Sequence, residues 1–505
     1  MQGPRKISGY FTRMYLYLNE RLGKPGKDEI LDGSVVTVLF KLGWPIMVSS
    51  LLQTMYNLID TIWIGRLPGD EGVNSMGAMS LAWPFVFLML SIGMGLGIAA
   101  LALVSQHTGA RNYEEANKDA GQLFFILIVL SVTLGIVGFF ITEPVMTLLS
   151  GGGPLVKYGT QYLQVIFLGL PFMMLFFAFS FVMRAWGDTI TPMKLMLLSV
   201  IINVILDPIL IFGTGPLPFI DLTIPSLPVF GAIPHLGIQG AAIATVFSRL
   251  IGTLIAVYLL FSGRVGIKLK LDYLKPRIDK IKKFFDIGIP ATAARVGDSL
   301  GFLLLVGILA NLPNKEEVLA AYGVGSRVIN ITFIFLGGLG MAMSTMVGQT
   351  LGAEREDRLD EVSNKGMALM ISFMAALSLI LYLFRFQLIG FFIPGEEKVI
   401  EIGASFLAIL AIGGPFFAIF NAVSGILNGS GHTKQQMVIS LARLWALRLP
   451  LVYIFAFILG WLTIGAWWGM VVSNIISALL AFVIYKKGWW KEKVIEKGPL
   501  RSPPT

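Results

Sequence analysis

Apolar stretches long enough to cross a lipid bilayer recur along the whole chain, separated by short polar segments. Crossing the hydrocarbon layer takes about 20 residues of helix. Twelve runs meet that length, at 35–66, 76–105, 119–141, 156–185, 192–214, 237–262, 281–311, 319–350, 364–384, 400–427, 435–460 and 463–485. The pattern predicts an all-α membrane protein with twelve transmembrane helices. Residues 1–34 are polar and lack an apolar core, so no cleavable signal peptide is expected there. Tyr10, Phe11, Tyr15 and Leu16, set against Arg13 and Arg21, instead predict a partly interfacial helix in that tail.

Composition supports the same class: 55% of the 505 residues are hydrophobic, 14% are charged, and the mean hydropathy is +0.77. Soluble globular domains do not reach such values. The chain has no cysteine, which excludes disulfides, thiolate metal sites and cysteine nucleophiles. His107, His235 and His432 are far apart in sequence, which argues against an imidazole-rich metal site. No metal and no cofactor other than a coupling ion is expected.

The net charge of +9 does not point to nucleic acid, because the basic residues cluster in alternate connecting segments. Arg5 to Lys27, Arg111 and Lys118, Arg264 to Lys283, Arg355 to Lys365, and Lys486 to Lys497 mark one side. The other side carries acids such as Asp70, Glu71, Glu143, Asp221, Glu396 and Glu397. The positive-inside rule then places both termini in the cytoplasm of a multi-pass cell-membrane protein. Its expected partners are the lipid bilayer and small molecules, not nucleic acid, and the expected state is a monomer.

The basic segment 264–283 divides the chain into two halves of six spans, and the halves echo one another. VSQHTGAR (104–111) aligns with VGQTLGAE (347–354), and RAWGDTITPM (184–193) with NGSGHTKQQM (428–437), at an offset of 243 or 244 residues. Repeats with an even number of spans keep the same orientation, so the two six-helix lobes should be related by a pseudo-two-fold axis along the membrane normal, with a cavity between them. The expected organisation is a tail (1–34), an N-lobe (35–263), a linker (264–283), a C-lobe (284–485) and a second tail (486–505). The outer segment 213–237, with five prolines, breaks the symmetry; it reads as a tolerated insertion or an ordered flap.

Charge inside the apolar runs is where chemistry is expected. Asp60 in span one and Asp207 in span five each lie six residues before their outer boundary, about 9 Å inside it. A charged side chain at such depth costs at least about 2.5 kcal/mol, so it needs a partner or a function. Two carboxylates facing each other in a poorly solvated pocket are difficult to ionise together, and one of them can hold a proton or yield it to a cation. Asn203 lies one turn before Asp207, and Pro208 removes the backbone bond to residue 204. Tyr56 and Asn57 share a face with Asp60, and Gln53 lies one turn earlier.

Asp298 in span seven, with Arg295 three residues before it, predicts either an ion pair on one helical face or a second-lobe site. Arg184, Arg249, Arg327, Arg443 and Arg448 read as snorkelling residues near span ends. Met341, with Met343, Met346, Phe333 and Phe335, can line an adaptable apolar pocket or simply pack. Gln53, Asn57 and Met341 are the candidate substrate-cavity residues. No Walker loop or HExxH motif is present, and no enzyme activity is expected.

QTMYNLIDTIWIG, GARNYEEANKDA, RAWGDTITPM, INVILDPILIFG and LGIQGAAIAT, in this order, resemble the multidrug and toxic compound extrusion (MATE) family, most of all its DinF-like branch. The resemblance spans residues 35–485 and is strongest in the first half. It implies two six-helix lobes, cation-driven (H⁺ or Na⁺) export of organic cations, and a coupling site at Asp60, Asn203, Asp207 and Thr245 with Tyr56 and Tyr162 nearby. Asp298 departs from the DinF-like pattern and stands where another branch places a functional glutamate. The expected cycle binds the ion from outside, bends span one and displaces the drug. The alternative within the superfamily, a lipid-linked sugar flippase, would need several arginines facing the central cavity.

Overall fold

The computed structural model describes residues 23–216, 223–224 and 232–495. Twelve helices in it are long and apolar enough to span a membrane. They are α1 (Val35–Ile64), α2 (Asp70–Gly109), α3 (Tyr113–Ser150), α4 (Pro154–Trp186), α5 (Ile190–Phe212), α6 (Gly237–Ser262), α7 (Ile278–Leu309), α8 (Lys315–Gly352), α9 (Glu356–Leu383), α10 (Glu397–Ser430), α11 (Thr433–Ile458) and α12 (Leu462–Lys486). Most outrun the apolar stretch that predicts them. The 40 residues of α2 rise about 60 Å, roughly twice a hydrocarbon layer, so its ends stand in polar surroundings. Terminal chemistry sets several limits: Asn112 accepts from the Glu115 N–H to open α3, and left-handed glycines at 151, 187, 263 and 431 close α3, α4, α6 and α10.

The interfacial reading of the tail falls on residues outside those described. Of the 213–237 segment the described part includes a two-residue antiparallel ladder, Gly215–Pro216 against Thr223–Ile224, and a bond from the Thr214 N–H to the Ile233 carbonyl at 2.9 Å.

Two lobes form from consecutive helices, α1–α6 and α7–α12, and the repeat is visible in their internal features. Pro45 in α1 matches Pro290 in α7, and Pro171 in α4 matches Pro415 in α10. Across the lobes α2 packs on α7, α8 packs on α1, and α2 meets α8, which puts the pseudo-two-fold axis between α2 and α8. The first and seventh helices are shared: Val35, Leu39 and Leu42 of α1 lie in the apolar core of the second lobe, and Phe284, Ile287 and Ala291 of α7 in that of the first. Large apolar residues such as Phe140 and Leu303 stay exposed on the outside, where lipid covers them.

The repeated sequence segments meet on this axis. The Gln106 amide donates to the Ser430 carbonyl at 3.1 Å, and the Gln349 amide to the Ala185 carbonyl at 2.8 Å. Each first-repeat motif thus clasps the second motif of the opposite lobe. Gly109 and Gly352 make the approach possible, since a Cβ on either would overlap the backbone of Gln349 or Gln106. Both described chain ends are on this face, where Val494 donates its N–H to Gln106 Oε1 and Lys24 pairs with Asp188 at 2.8 Å. The lobes are closed together here.

Candidate functional site

Helices α1, α5 and α6 bring Asp60, Asp207 and Thr245 together inside the first lobe. Thr245 Oγ1 donates to Asp60 Oδ2 at 3.1 Å, and Asn203 Nδ2 donates to Asp207 Oδ1 at 2.9 Å. The two carboxyl groups are close enough to influence each other electrostatically. All four side chains are buried. Tyr56 is fixed beside them: its hydroxyl donates to the Thr245 carbonyl at 3.0 Å and bonds Ser248 Oγ at 2.6 Å. Tyr162 from α4 is close enough to feel the charge of both aspartates. The sequence motifs therefore converge on one spot, and α5 continues as helix through Pro208.

Three oxygens of this cluster, Asp60 Oδ1, Asn203 Oδ1 and Asp207 Oδ2, are buried with no hydrogen-bond partner among the described residues. Buried acceptors normally have partners, and three orphaned oxygens in one cluster are able to accept a proton or a cation. A pocket of about 40 Å³ opens beside Asp60 and is also lined by Asn57, Tyr162 and Arg249. That volume holds an ion or a few waters and excludes a drug-sized molecule.

Arg249 corrects the sequence reading. It is buried, not snorkelling: its Nη2 donates to Gln53 Oε1 at 2.5 Å, and its guanidinium lies 4.9 Å from the Tyr56 ring centre and 5.1 Å from that of Phe176. Gln53 in turn donates to Asn57 at 3.2 Å, so these two candidate cavity residues anchor an arginine next to the acids. The signal was the spacing in span six, where residue 249 is one turn after Thr245 on the same face. With one guanidinium and two carboxyls, the cluster is neutral when it holds one proton or one monovalent cation.

The second lobe needs a larger correction. Asp298 is not paired with Arg295; its partners come from α11, Ser440 Oγ at 3.0 Å and Arg443 Nη2 at 3.1 Å. The packing of α11 against α7 places those groups nearer than the neighbour on its own helix, and Arg295 keeps a buried Nε without a partner. Asp298, Arg443 and Arg448 line a cavity of about 490 Å³ within the second lobe, where all lining residues come from α7–α12. The expected cavity between the lobes is thus not the one that holds these charges. Arg443 and Arg448 are buried too. Met341 lines neither pocket. It packs partly buried against the first-lobe core, while Met343 and Met346 are wholly inside the second; only Phe333 of that stretch lines the cavity.

Two lobes around one axis, each with a buried polar site reached from within its bundle, define a multi-pass membrane transporter. The MatE family model matches residues 45–209 and again 290–454, and the chain belongs to that family of multidrug efflux transporters. It is similar to the probable multidrug resistance protein YoeA of Bacillus subtilis (26% identity over 453 residues, 89% of this chain and 93% of the relative). The probable multidrug resistance protein NorM of Thermotoga maritima is 27% identical over 459 residues, covering 90% of this chain and 93% of the relative. Among solved structures, a MATE transporter in the bent conformation superposes with a TM-score of 0.82 at 21% identity, over 92% of this chain and 98% of that one.

Proposed function

We propose that the chain is a cation-coupled antiporter of the cell membrane, with both termini in the cytoplasm, and that H⁺ or Na⁺ drives export through the site formed by Asp60, Asn203, Asp207 and Thr245. The observation that carries this reading is the set of three orphaned oxygens in a cluster one positive charge short of neutrality. A proton or a sodium ion supplies both the missing charge and the missing partner. The inward concentration gradient of the ion drives the exchange, at about 1.4 kcal/mol per tenfold difference, and the membrane potential adds to it only when more positive charge enters than leaves.

The cargo in this reading is a small organic compound. An organic cation approaching the first lobe competes with the coupling ion for the same carboxylates, and ion binding displaces it. Alternating access follows from the shared helices: α1 carries Asp60 in its outer half and packs into the opposite lobe with its inner half, so a change at the ion site bears on the inter-lobe contact. The test is efflux of a fluorescent organic cation from reconstituted vesicles with proton and sodium gradients imposed separately. Asp207→Asn is expected to abolish gradient-driven efflux, and unchanged efflux in that variant would refute the assignment.

A further inference from the structure

The second-lobe cavity has a charge that its own residues leave uncompensated. Arg443 and Asp298 neutralise each other across 3.1 Å. Arg448 has no acidic partner among the described residues: its Nε donates to Ser473 Oγ at 3.1 Å and its Nη2 to Asn474 Oδ1 at 2.5 Å, both neutral acceptors. Nη1 of Arg448 makes no bond among the described residues, and Nε of Arg443 is buried without a partner. A guanidinium taken out of water without a countercharge is unfavourable, so the site favours a negative charge that none of the described residues supplies.

The backbone is arranged to present this charge. Ala442–Arg448 forms a π-helical turn ahead of Pro450, whose missing N–H and ring disturb the ordinary ladder at residue 446. In an α-helix residues 443 and 448 would point about 140° apart. The wider turn brings both guanidinium groups to the cavity wall. Phe302 lies 5.7 Å from Arg448, and Phe417 lies 5.6 Å from Arg443. Most of the remaining wall is apolar, and about 490 Å³ is the size of a small-molecule site.

We propose that this cavity binds an organic anion: a molecule with an apolar or aromatic body, seated against Phe302, Phe333 and Phe417, and one carboxylate, phosphate or sulfonate group on Arg448. The site is separate from the coupling cluster in the first lobe and does not rest on its assignment.

The test is equilibrium binding to the purified full chain in phosphatidylcholine nanodiscs, with two probes that share a fluorophore and differ in charge. Dansylglycine, a carboxylate, is expected to bind saturably and more tightly than monodansylcadaverine, an amine. Arg448→Gln should weaken dansylglycine by about tenfold or more, the order of one charge-assisted contact, while Arg448→Lys retains most of the affinity. Asp298→Asn should tighten it by releasing Arg443. Asp207→Asn should leave dansylglycine binding unchanged while stopping efflux, so this proposal and the coupling reading fail separately. Should Arg448→Gln not fold, Ala411→Trp fills the cavity with every charge in place and is expected to abolish binding. Preference for the amine, or dansylglycine affinity unaltered in Arg448→Gln or in Ala411→Trp, overturns the proposal.

Discussion

The two lobes share a frame and differ in charge. Both have a proline in the N-terminal half of the first helix, a second in the fourth helix, and the same glutamine clasp on the pseudo-two-fold axis. Within that frame the first lobe holds two carboxyls and one guanidinium beside about 40 Å³ of space, and the second holds two guanidiniums and one carboxyl around about 490 Å³. The residues that carry charge are not at repeat-related positions. The repeat offset takes Asp60 to a leucine, Leu303 or Leu304, and Asp298 to Thr54 or Met55. Duplication therefore accounts for the packing, whereas the sites are set lobe by lobe.

The sharpest way to break this comparison is to remove the acids. Asp60→Asn and Asp207→Asn should each reduce gradient-driven efflux to background. The double variant should be no worse than either single one, because the two carboxyls act as one unit. Asp298→Asn should leave coupling intact, since that acid is already neutralised by Arg443. Loss of coupling in Asp298→Asn would mean that the second lobe also carries the driving ion.

Symmetry itself can be tested next, using the lack of cysteine in the chain. A thiol pair at Gln106→Cys and Ser430→Cys, joined by a short bis-thiosulfonate, should stop transport, and a reductant should restore it. The pair Gln349→Cys and Ala185→Cys should behave alike. A lock from only one pair would show that the lobes do not open as equals. In the same region Gly109→Leu and Gly352→Leu force a side chain into a facing backbone, a form of overpacking that costs about 1–3 kcal/mol. Both should lower the thermal midpoint in detergent, while Gly307→Leu, where a Cβ meets nothing within 4 Å, should not.

How much of this was legible in the sequence differs between the lobes for a physical reason. Asp60, Asn203 and Asp207 were legible because a carboxylate in an apolar run is costly, and depth can be counted along regular helices. Arg249 was within reach of the same counting and was passed over as a span-end residue. Arg443 and Arg448 were not accessible in this way. Their convergence depends on a π-helical turn, and periodicity at 100° per residue assigns them to different faces. The ion pair of Asp298 was misassigned because a neighbour on the same helix can be counted, whereas a partner on another helix depends on packing. The clasp was visible only as a repeat; its meaning required the two lobes to be placed against each other.

The smallest effect separates two hydroxyls that do the same chemistry in different surroundings. Thr245 donates to Asp60 at 3.1 Å, and Ser440 donates to Asp298 at 3.0 Å. Removing one such donor is worth about 1 kcal/mol, a factor of about five in an equilibrium constant. In the proposed coupling the first-lobe acid receives the ion, so Thr245→Val should change the half-saturating ion concentration by about that factor and leave the maximal rate nearly unaltered. In the second lobe the acid retains Arg443, so Ser440→Ala should leave ion dependence unchanged. Measured side by side in vesicles over a range of external pH and sodium, equal responses from the two variants would remove the division of labour between the lobes.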